Sequence, residues 1–129
     1  MMYYKKRVYG KTKEFSIDEL KRVFSDNRLS YIKLALLFGS RATNRANFQS
    51  DYDIAILTDS GIEAPWGVEA KLWSDILDIW SVAEYDLDII DLSNVSSLML
   101  ESIKEGYILL KGEESELQRV FDKDSKDSQ

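Results

Sequence analysis

The chain has 129 residues, a formal net charge of −6 and a hydrophobic fraction of 44%, which predicts one globular domain around a single hydrophobic core. It contains no cysteine and no histidine, so disulfides, thiolate metal sites and histidine bases are excluded. Any metal must therefore be a hard cation held by carboxylates, and Mg²⁺ suits that ligand set best. The negative net charge argues against stable binding of nucleic acid.

No apolar run reaches the ~20 residues that a membrane-spanning helix needs, and the N-terminus lacks the apolar core of a signal peptide. We therefore expect a cytoplasmic protein without membrane contact. Residues 1–15 carry five basic side chains against Glu14 alone. We interpret them as a basic N-terminal arm, either a solvated terminus or a docking segment for an acidic partner or RNA.

The first predicted elements are a helix and a buried strand. Ser16 and Glu19 form a capping-box pattern ahead of apolar residues at helical spacing, which predicts a helix over 16–27. The apolar run from Tyr31 to Phe38 predicts a strand covered on both faces.

Glycine and serine end that strand at Gly39-Ser40, and we expect a short helix just after Ser40. A second buried strand is predicted over 51–57, followed by a loop over 58–67. An amphipathic helix then extends to about Ala83. Its apolar stripe consists of Trp66, Ala70, Trp73, Leu77 and Trp80, with Ile76 alongside. This stripe favours a core position, whereas an exposed tryptophan would be a candidate partner anchor.

The last third of the sequence predicts a strand over 85–92, a helix over 95–105 and a short strand over 107–110. The helix is expected to turn four residues inward and to end at a glycine cap; these are Val95, Leu98, Met99, Ile103 and the cap Gly106. Residues 113–129 predict a charged tail with a turn or two of helix around 117–121 and a disordered end. Alternating helices and strands indicate an α/β or α+β fold, with helices flanking one mixed sheet.

Two carboxylates, Asp51 and Asp53, lie two residues apart on the second predicted strand. Because side chains alternate across a strand, both point to one face, with Cα atoms roughly 7 Å apart. Their mutual repulsion is costly unless a cation lies between them. The alternative is an edge strand with both carboxylates in water.

The Gly39-Ser40 turn favours a phosphate-binding role. Gly39 lets the backbone approach a ligand closely, and Ser40 together with the N–H groups of a following helix would donate to a phosphate. Arg41 and Arg45 would neutralise a triphosphate or a departing pyrophosphate. A plain turn and a surface position for Arg45 are the alternatives.

A third carboxylate, Asp88, lies among apolar residues in the third predicted strand, where a charge needs a partner or a metal. Asp86 shares its face, and Asp91 lies on the opposite face and serves the strand end. We favour Asp88 over Asp86 as the functional acid.

Gly39-Ser40, ten intervening residues, Asp51-Tyr-Asp53 and the acid within Leu87–Asp91 together resemble the nucleotidyltransferase superfamily related to DNA polymerase β. The small size and the absence of a second domain resemble, more narrowly, the minimal nucleotidyltransferase (MNT) antitoxins encoded with HEPN-domain toxins. The likeness assigns a nucleotidyltransferase domain to residues 16–112. The stretch 42–48 departs from the family's commoner form, which has a glycine after Ala-Arg.

The resemblance implies roles for the matching residues. Gly39 and Ser40 would hold the triphosphate of ATP, Asp51 and Asp53 would bind two Mg²⁺ ions, and Asp88 would complete the catalytic metal site. For these antitoxins it implies transfer of AMP from ATP to a tyrosine of the cognate HEPN ribonuclease, which neutralises the toxin. The alternatives are an antitoxin that acts by binding alone, or a transferase that modifies a small molecule or RNA.

Overall fold

The computed structural model describes residues 15–43, 52–59, 67–79 and 87–127. Of the predicted basic arm, only Phe15 lies within these ranges. None of the helices in the described ranges is long and apolar enough to cross a membrane.

In the described ranges four strands form one mixed sheet, as the sequence predicts. They are β1 (Ile32–Phe38), β2 (Tyr52–Thr58), β3 (Leu87–Asp91) and β4 (Tyr107–Lys111). Their order is β3-β2-β1-β4. β1 runs antiparallel to both β2 and β4, whereas β2 and β3 are parallel. A parallel pair needs a crossover connection, and a helix lies between β2 and β3 in the chain.

The described helices are α1 (Ile17–Phe24), α2 (Val68–Ile79), α3 (Ser97–Lys104) and α4 (Glu114–Asp127). Two 3₁₀ turns, Asn27–Leu29 and Gly39–Arg41, flank β1.

The sheet divides the core into two layers instead of the single one expected. One layer, here called the α1/α2 face, joins the sheet to those two helices; its members include Leu20, Phe24, Tyr52, Ile54, Leu72 and Ile76. The α3/α4 face includes Leu34, Leu36, Ala55, Leu100, Ile103, Leu117 and Phe121. Because both faces of the sheet are covered, β1 needs apolar side chains on each side, which explains its nearly continuous apolar run.

The predicted capping box of α1 is confirmed. The Ser16 hydroxyl accepts a hydrogen bond from the Glu19 N–H at 3.1 Å, and the Glu19 carboxylate accepts one from the Ser16 N–H at 3.1 Å. The helix ends at Phe24, earlier than residue 27. The reason is that Asp26 caps a separate 3₁₀ turn by accepting from the Arg28 N–H at 2.9 Å.

The buried face of α2 differs from the tryptophan stripe. Ile76, which was predicted beside that stripe, is fully buried together with Leu72, whereas Trp73 is only half-buried and Ala70 is exposed. Four-residue spacing from Leu72 to Ile76 turns the aliphatic side chains toward the sheet and leaves Trp73 at the edge. The positions of Trp66 and Trp80 and the side chain of Leu77 lie outside the described part of the chain.

The predicted inward face of α3 is confirmed for Val95 and Ile103, which pack on the α3/α4 face, and was wrong for Leu98 and Met99. Leu98 is 83% exposed and Met99 is 37% exposed, whereas Leu100 and Ile103 are buried. The Ser96 hydroxyl accepts from the Met99 N–H at 3.1 Å and so starts the helix at residue 97. That start fixes the helical phase and directs positions 100 and 103, not 98 and 99, at the sheet.

Gly106 is not a left-handed cap, because the positive-φ glycines of the described chain are Gly39, Gly67 and Gly112. A Cβ on Gly106 would lie 2.5 Å from Cγ2 of Thr43, so the absence of a side chain there permits close packing.

Helix α4 is longer than the turn or two expected, and the predicted disordered end was wrong as far as Asp127. Leu117 and Phe121, one helical turn apart, are buried on the α3/α4 face and hold the charged helix to the sheet.

We predict that Leu100→Ala lowers the free energy of unfolding by about 2–4 kcal/mol, because it empties part of the core. Leu98→Ala, two residues away on the same helix, should change it by less than about 0.5 kcal/mol, since that side chain lies in solvent. Denaturant unfolding measures both values. Equal losses for the two variants would contradict this phase of the helix.

Candidate active site

One residue from each strand forms a row across the sheet. The Cα partners in adjacent strands are Asp88 with Asp53, Asp53 with Phe38, and Phe38 with Tyr107. The row lies at the end of the sheet where β1 finishes and the other three strands begin. The turn that follows Phe38 is therefore at the same end as the two carboxylates.

Asp53 and Asp88 lie on the same face of the sheet. Their neighbours along the strands pack on the α1/α2 face, namely Tyr52, Ile54, Leu87 and Ile89. Since side chains alternate along a strand, Asp53 and Asp88 point to the α3/α4 face, on strands about 4.8 Å apart. Asp53 is half-buried and Asp88 is exposed. Asp51 and Arg45 lie outside the described residues.

This pair suits a hard cation. Two adjacent carboxylates on one face repel each other, and a divalent ion between them converts that repulsion into attraction. Within the described ranges, no group of three or more acidic, histidine or cysteine residues suited to a metal occurs, and the candidate third ligand, Asp51, lies outside those ranges.

Gly39 closes the site from the β1 side. Its φ is +76°, a left-handed conformation that side-chain-bearing residues rarely adopt. A Cβ at this position would also overlap the Oδ2 atom of Asp53. Both observations explain why residue 39 is glycine. A side chain there would need the space that the Asp53 carboxylate occupies.

The turn after Gly39 is a single 3₁₀ turn over Gly39–Arg41, shorter than the helix expected after Ser40. The Gly39 carbonyl accepts from the Ala42 N–H at 3.0 Å and from the Thr43 hydroxyl at 3.2 Å. No side chain in the described part of the protein bonds the Ser40 hydroxyl. That hydroxyl is therefore available to a ligand beside Asp53.

Arg41 contacts the middle residue of the Asp-Tyr-Asp motif. Its guanidinium carbon lies 4.5 Å from the centre of the Tyr52 ring, and its Nη1 donates to the Tyr52 hydroxyl at 3.4 Å. Tyr52 belongs to the opposite face of β2 from Asp53. Through this contact Arg41 fixes the turn to β2, a role that the sequence did not predict.

Tyr52 also connects the site to the N-terminal segment. It is 2% exposed, and its hydroxyl accepts from the Phe15 N–H at 2.7 Å. The two rings pack edge to face with centroids 5.8 Å apart. The sequence analysis assigned roles to the acidic neighbours of Tyr52 and none to Tyr52 itself. The signal was an aromatic residue at the inward position of an alternating strand.

Tyr107, at the other end of the row, was predicted only as part of a strand. Its hydroxyl donates to the Glu114 carboxylate, a bond that raises the pKa of Tyr107. Its ring packs edge to face against Phe121 with centroids 5.9 Å apart.

We predict that Gly39→Ala destabilises the protein more than Gly67→Ala and also weakens triphosphate binding. Gly67 has a φ of +96° with nothing within 4 Å of an added Cβ, so its variant measures backbone strain alone, about 1 kcal/mol. The overlap with Asp53 adds to that strain only at Gly39. Equal unfolding free energies and unchanged tripolyphosphate affinity would contradict this close approach.

We predict that Tyr52→Phe costs about 1–2 kcal/mol of stability, because the Phe15 N–H and Arg41 lose their acceptor, and that it weakens ATP binding. Tyr31→Phe is the matched control, since the Tyr31 hydroxyl donates to Asp75 at 2.8 Å, away from the turn. It should cost similar stability and leave ATP affinity unchanged. Identical ATP affinities for the two variants would contradict a link from Tyr52 to the turn.

Solved structures resemble this chain in fold. A toxin–antitoxin crystal structure with AMP-PNP has a chain that matches with a TM-score of 0.61 and 24% identity, covering 87% of this chain and 86% of that one. A structure of a tri-AMPylated Shewanella oneidensis HEPN toxin in complex with MNT antitoxin has a chain that matches with a TM-score of 0.60 and 18% identity, covering 85% of this chain and 81% of that one.

Sequence comparison finds a relative and a family. The protein adenylyltransferase MntA of Aphanizomenon flos-aquae (strain 2012/KM1/D3) is 28% identical over 88 residues, 64% of this chain. The match spans 59% of that relative's length. The model of the family "Polymerase beta, Nucleotidyltransferase" matches residues 18–115, which include Gly39, Ser40, Asp53 and Asp88. The chain belongs to this nucleotidyltransferase family.

Proposed function

We propose that this protein is an antitoxin that transfers AMP from ATP to a tyrosine of a cognate HEPN ribonuclease toxin and thereby neutralises it. The observation that carries the proposal is the in-register pairing of Asp53 with Asp88 on one face, with Gly39 in contact range of Asp53. Two acids and a glycine turn at one sheet edge suit a metal-bound triphosphate.

The comparisons support the choice of reaction and partner. The curated relative is a protein adenylyltransferase, one structural neighbour is a toxin–antitoxin with AMP-PNP, and another contains an AMPylated HEPN toxin with its MNT antitoxin. The family match supplies the nucleotidyltransferase activity class.

In this proposal Asp51, Asp53 and Asp88 hold two Mg²⁺ ions, which suit an oxygen-only donor set. When bound, the ions stabilise negative charge on the phosphate oxygens. The Ser40 hydroxyl and the backbone at Gly39 hold the triphosphate, and Arg41 and Arg45 offset its charge. We further propose a cytoplasmic location, because ATP is the substrate.

The reaction is an in-line displacement at the α-phosphorus. The tyrosine hydroxyl oxygen of the toxin forms the new bond to phosphorus, and the bond from phosphorus to the oxygen bridging toward the β-phosphate breaks. Pyrophosphate leaves with that electron pair. Asp88, which is exposed beside Asp53, is positioned to accept the proton of the attacking hydroxyl.

We predict that Asp53→Asn and Asp88→Asn each lower label transfer from α-labelled ATP to the toxin by at least about a hundredfold in the presence of Mg²⁺. Asp91→Asn is the matched control on the same strand, because the Asp91 carboxylate accepts from the Ser93 N–H at 3.0 Å and the Ser93 hydroxyl at 2.8 Å. It should retain transfer. The measurement is label on the toxin, alongside its ribonuclease activity.

Two outcomes would replace this proposal. Full neutralisation of the toxin by Asp53→Asn and Asp88→Asn without label would indicate an antitoxin that acts by binding alone. Label on an aminoglycoside or on RNA, and none on the toxin, would indicate a transferase with a different acceptor.

A further inference from the structure

Thr43 connects the turn after β1 to a part of the chain that is distant in sequence. Its hydroxyl donates to the Gly39 carbonyl at 3.2 Å. Its methyl carbon, Cγ2, lies 2.5 Å from the position that a Cβ on Gly106 would occupy. A hydroxyl that bonds a carbonyl four residues back is by itself an ordinary local interaction. The contact with Gly106, which directly precedes β4, joins the turn to a second element.

The pairing of β1 with β4 brings these two parts of the chain together. Phe38 at the end of β1 is the Cα partner of Tyr107 at the start of β4. Gly39 follows Phe38 and Gly106 precedes Tyr107, so the turn and the corner between α3 and β4 lie side by side. Because residue 106 has no side chain, this corner leaves the space that Thr43 fills.

The Gly39 carbonyl is held by two donors, the Thr43 hydroxyl and the Ala42 N–H at 3.0 Å. The peptide between Gly39 and Ser40 is planar and trans, so its N–H points opposite to its carbonyl. Fixing the carbonyl therefore fixes the Ser40 N–H on the side away from both donors. Backbone N–H groups oriented by a turn of this kind form a concave donor surface for anions such as phosphate.

A single torsion controls both contacts of Thr43. Rotation about its Cα–Cβ bond moves the hydroxyl and the methyl group together, between a few allowed positions. A side chain on residue 106 would displace the methyl group, and the hydroxyl would then leave the Gly39 carbonyl. Within the described part of the chain, the atoms within 4 Å of such a Cβ, apart from its chain neighbours, belong to Thr43. Gly106 does not have a positive φ, so only Thr43 opposes alanine there.

We propose that Thr43 is a positioning residue of the phosphate-binding turn. Its hydroxyl orients the Gly39–Ser40 peptide, and its methyl group transmits the packing at Gly106 to that peptide. The inference rests on the proposed function in one respect, the binding of a triphosphate at this turn. It adds a residue to which the sequence assigns no role, and a position outside the turn that sets triphosphate affinity.

The test measures binding of tripolyphosphate in Mg²⁺ by the full chain and its variants, using calorimetry below their unfolding temperatures. Thr43→Val keeps the shape of the side chain and loses the hydroxyl, so affinity should fall by about five- to tenfold, the effect of one hydrogen bond. Thr43→Ser keeps the hydroxyl and should bind within about twofold of wild type. In assays of AMP transfer, Thr43→Val should raise the KM for ATP and leave the KM for the toxin unchanged.

The decisive comparison combines changes at Thr43 and Gly106. Gly106→Ala should weaken tripolyphosphate binding by about fivefold, since its Cβ displaces the Thr43 methyl group. Adding Thr43→Ser removes that methyl group and should restore affinity to within about twofold of Thr43→Ser alone. Gly112→Ala is the matched control just beyond the other end of β4, because its Cβ would lie 2.5 Å from Cδ2 of Leu34, a residue outside the turn. It should lower stability and leave tripolyphosphate affinity unchanged.

Four results would overturn the inference. These are wild-type protein that does not bind tripolyphosphate, a Thr43→Val variant that binds it like wild type, a loss in Gly106→Ala that Thr43→Ser does not reverse, and an equal loss in Gly112→Ala. If Gly106→Ala does not fold, Thr43→Val against Thr43→Ser decides alone. If Gly112→Ala does not fold, the core variant Leu100→Ala takes its place as the destabilised control.

The two proposals fail separately. Tripolyphosphate binding that follows this pattern, without AMP transfer to the toxin, refutes the proposed function and supports the role of Thr43. AMP transfer by wild type, together with equal tripolyphosphate affinities of wild type and Thr43→Val, refutes the role of Thr43 and supports the function.

Discussion

Two negative charges face the same direction on adjacent parallel strands, and the rest of this end of the molecule is arranged around them. Asp53 and Asp88 are cross-strand partners, in a position where like charges destabilise a sheet unless a counter-charge is present. Both faces of the sheet are otherwise covered by helices and apolar side chains. The fold therefore places this pair of carboxylates at the strand ends, where Asp88 is exposed to solvent.

The turn after β1 is coupled to that pair from both faces of β2. On the α3/α4 face, the Asp53 carboxylate occupies the space that a side chain on residue 39 would need. On the α1/α2 face, Arg41 packs over the ring of Tyr52, whose hydroxyl also receives the Phe15 N–H. One three-residue motif, acid-tyrosine-acid, thus directs the Asp53 carboxylate to the α3/α4 face and anchors the turn after β1 through its middle residue, Tyr52.

Much of this arrangement could be predicted from the sequence. Period-two alternation and the capping box predicted the strands and α1. Gly39 and Ser40 follow the end of one predicted strand, and Asp53 and Asp88 lie on two others, so the sequence also indicated that these residues form one group. The phase of α3 could be predicted only in part, because residues 98 and 99 fit an apolar stripe with Ile103 as well as residue 100 does. Only the cap at Ser96 decides between them. The roles of Tyr52 and Tyr107 could not be predicted either. Tyr52 bonds Phe15, which is distant in sequence, and Tyr107 bonds Glu114, which lies in another element.

The most direct measurement is paramagnetic broadening of backbone amide signals by Mn²⁺, used in place of Mg²⁺ together with a non-hydrolysable ATP analogue. The account predicts selective broadening of the amides of Gly39, Ser40, Asp53 and Asp88. The signal of Ser93, beyond the far end of β3, should stay sharp, since the effect falls off steeply with distance. A well-dispersed spectrum in which Asp53 and Asp88 keep their intensity while other amides broaden would contradict a metal–nucleotide site at this carboxylate pair.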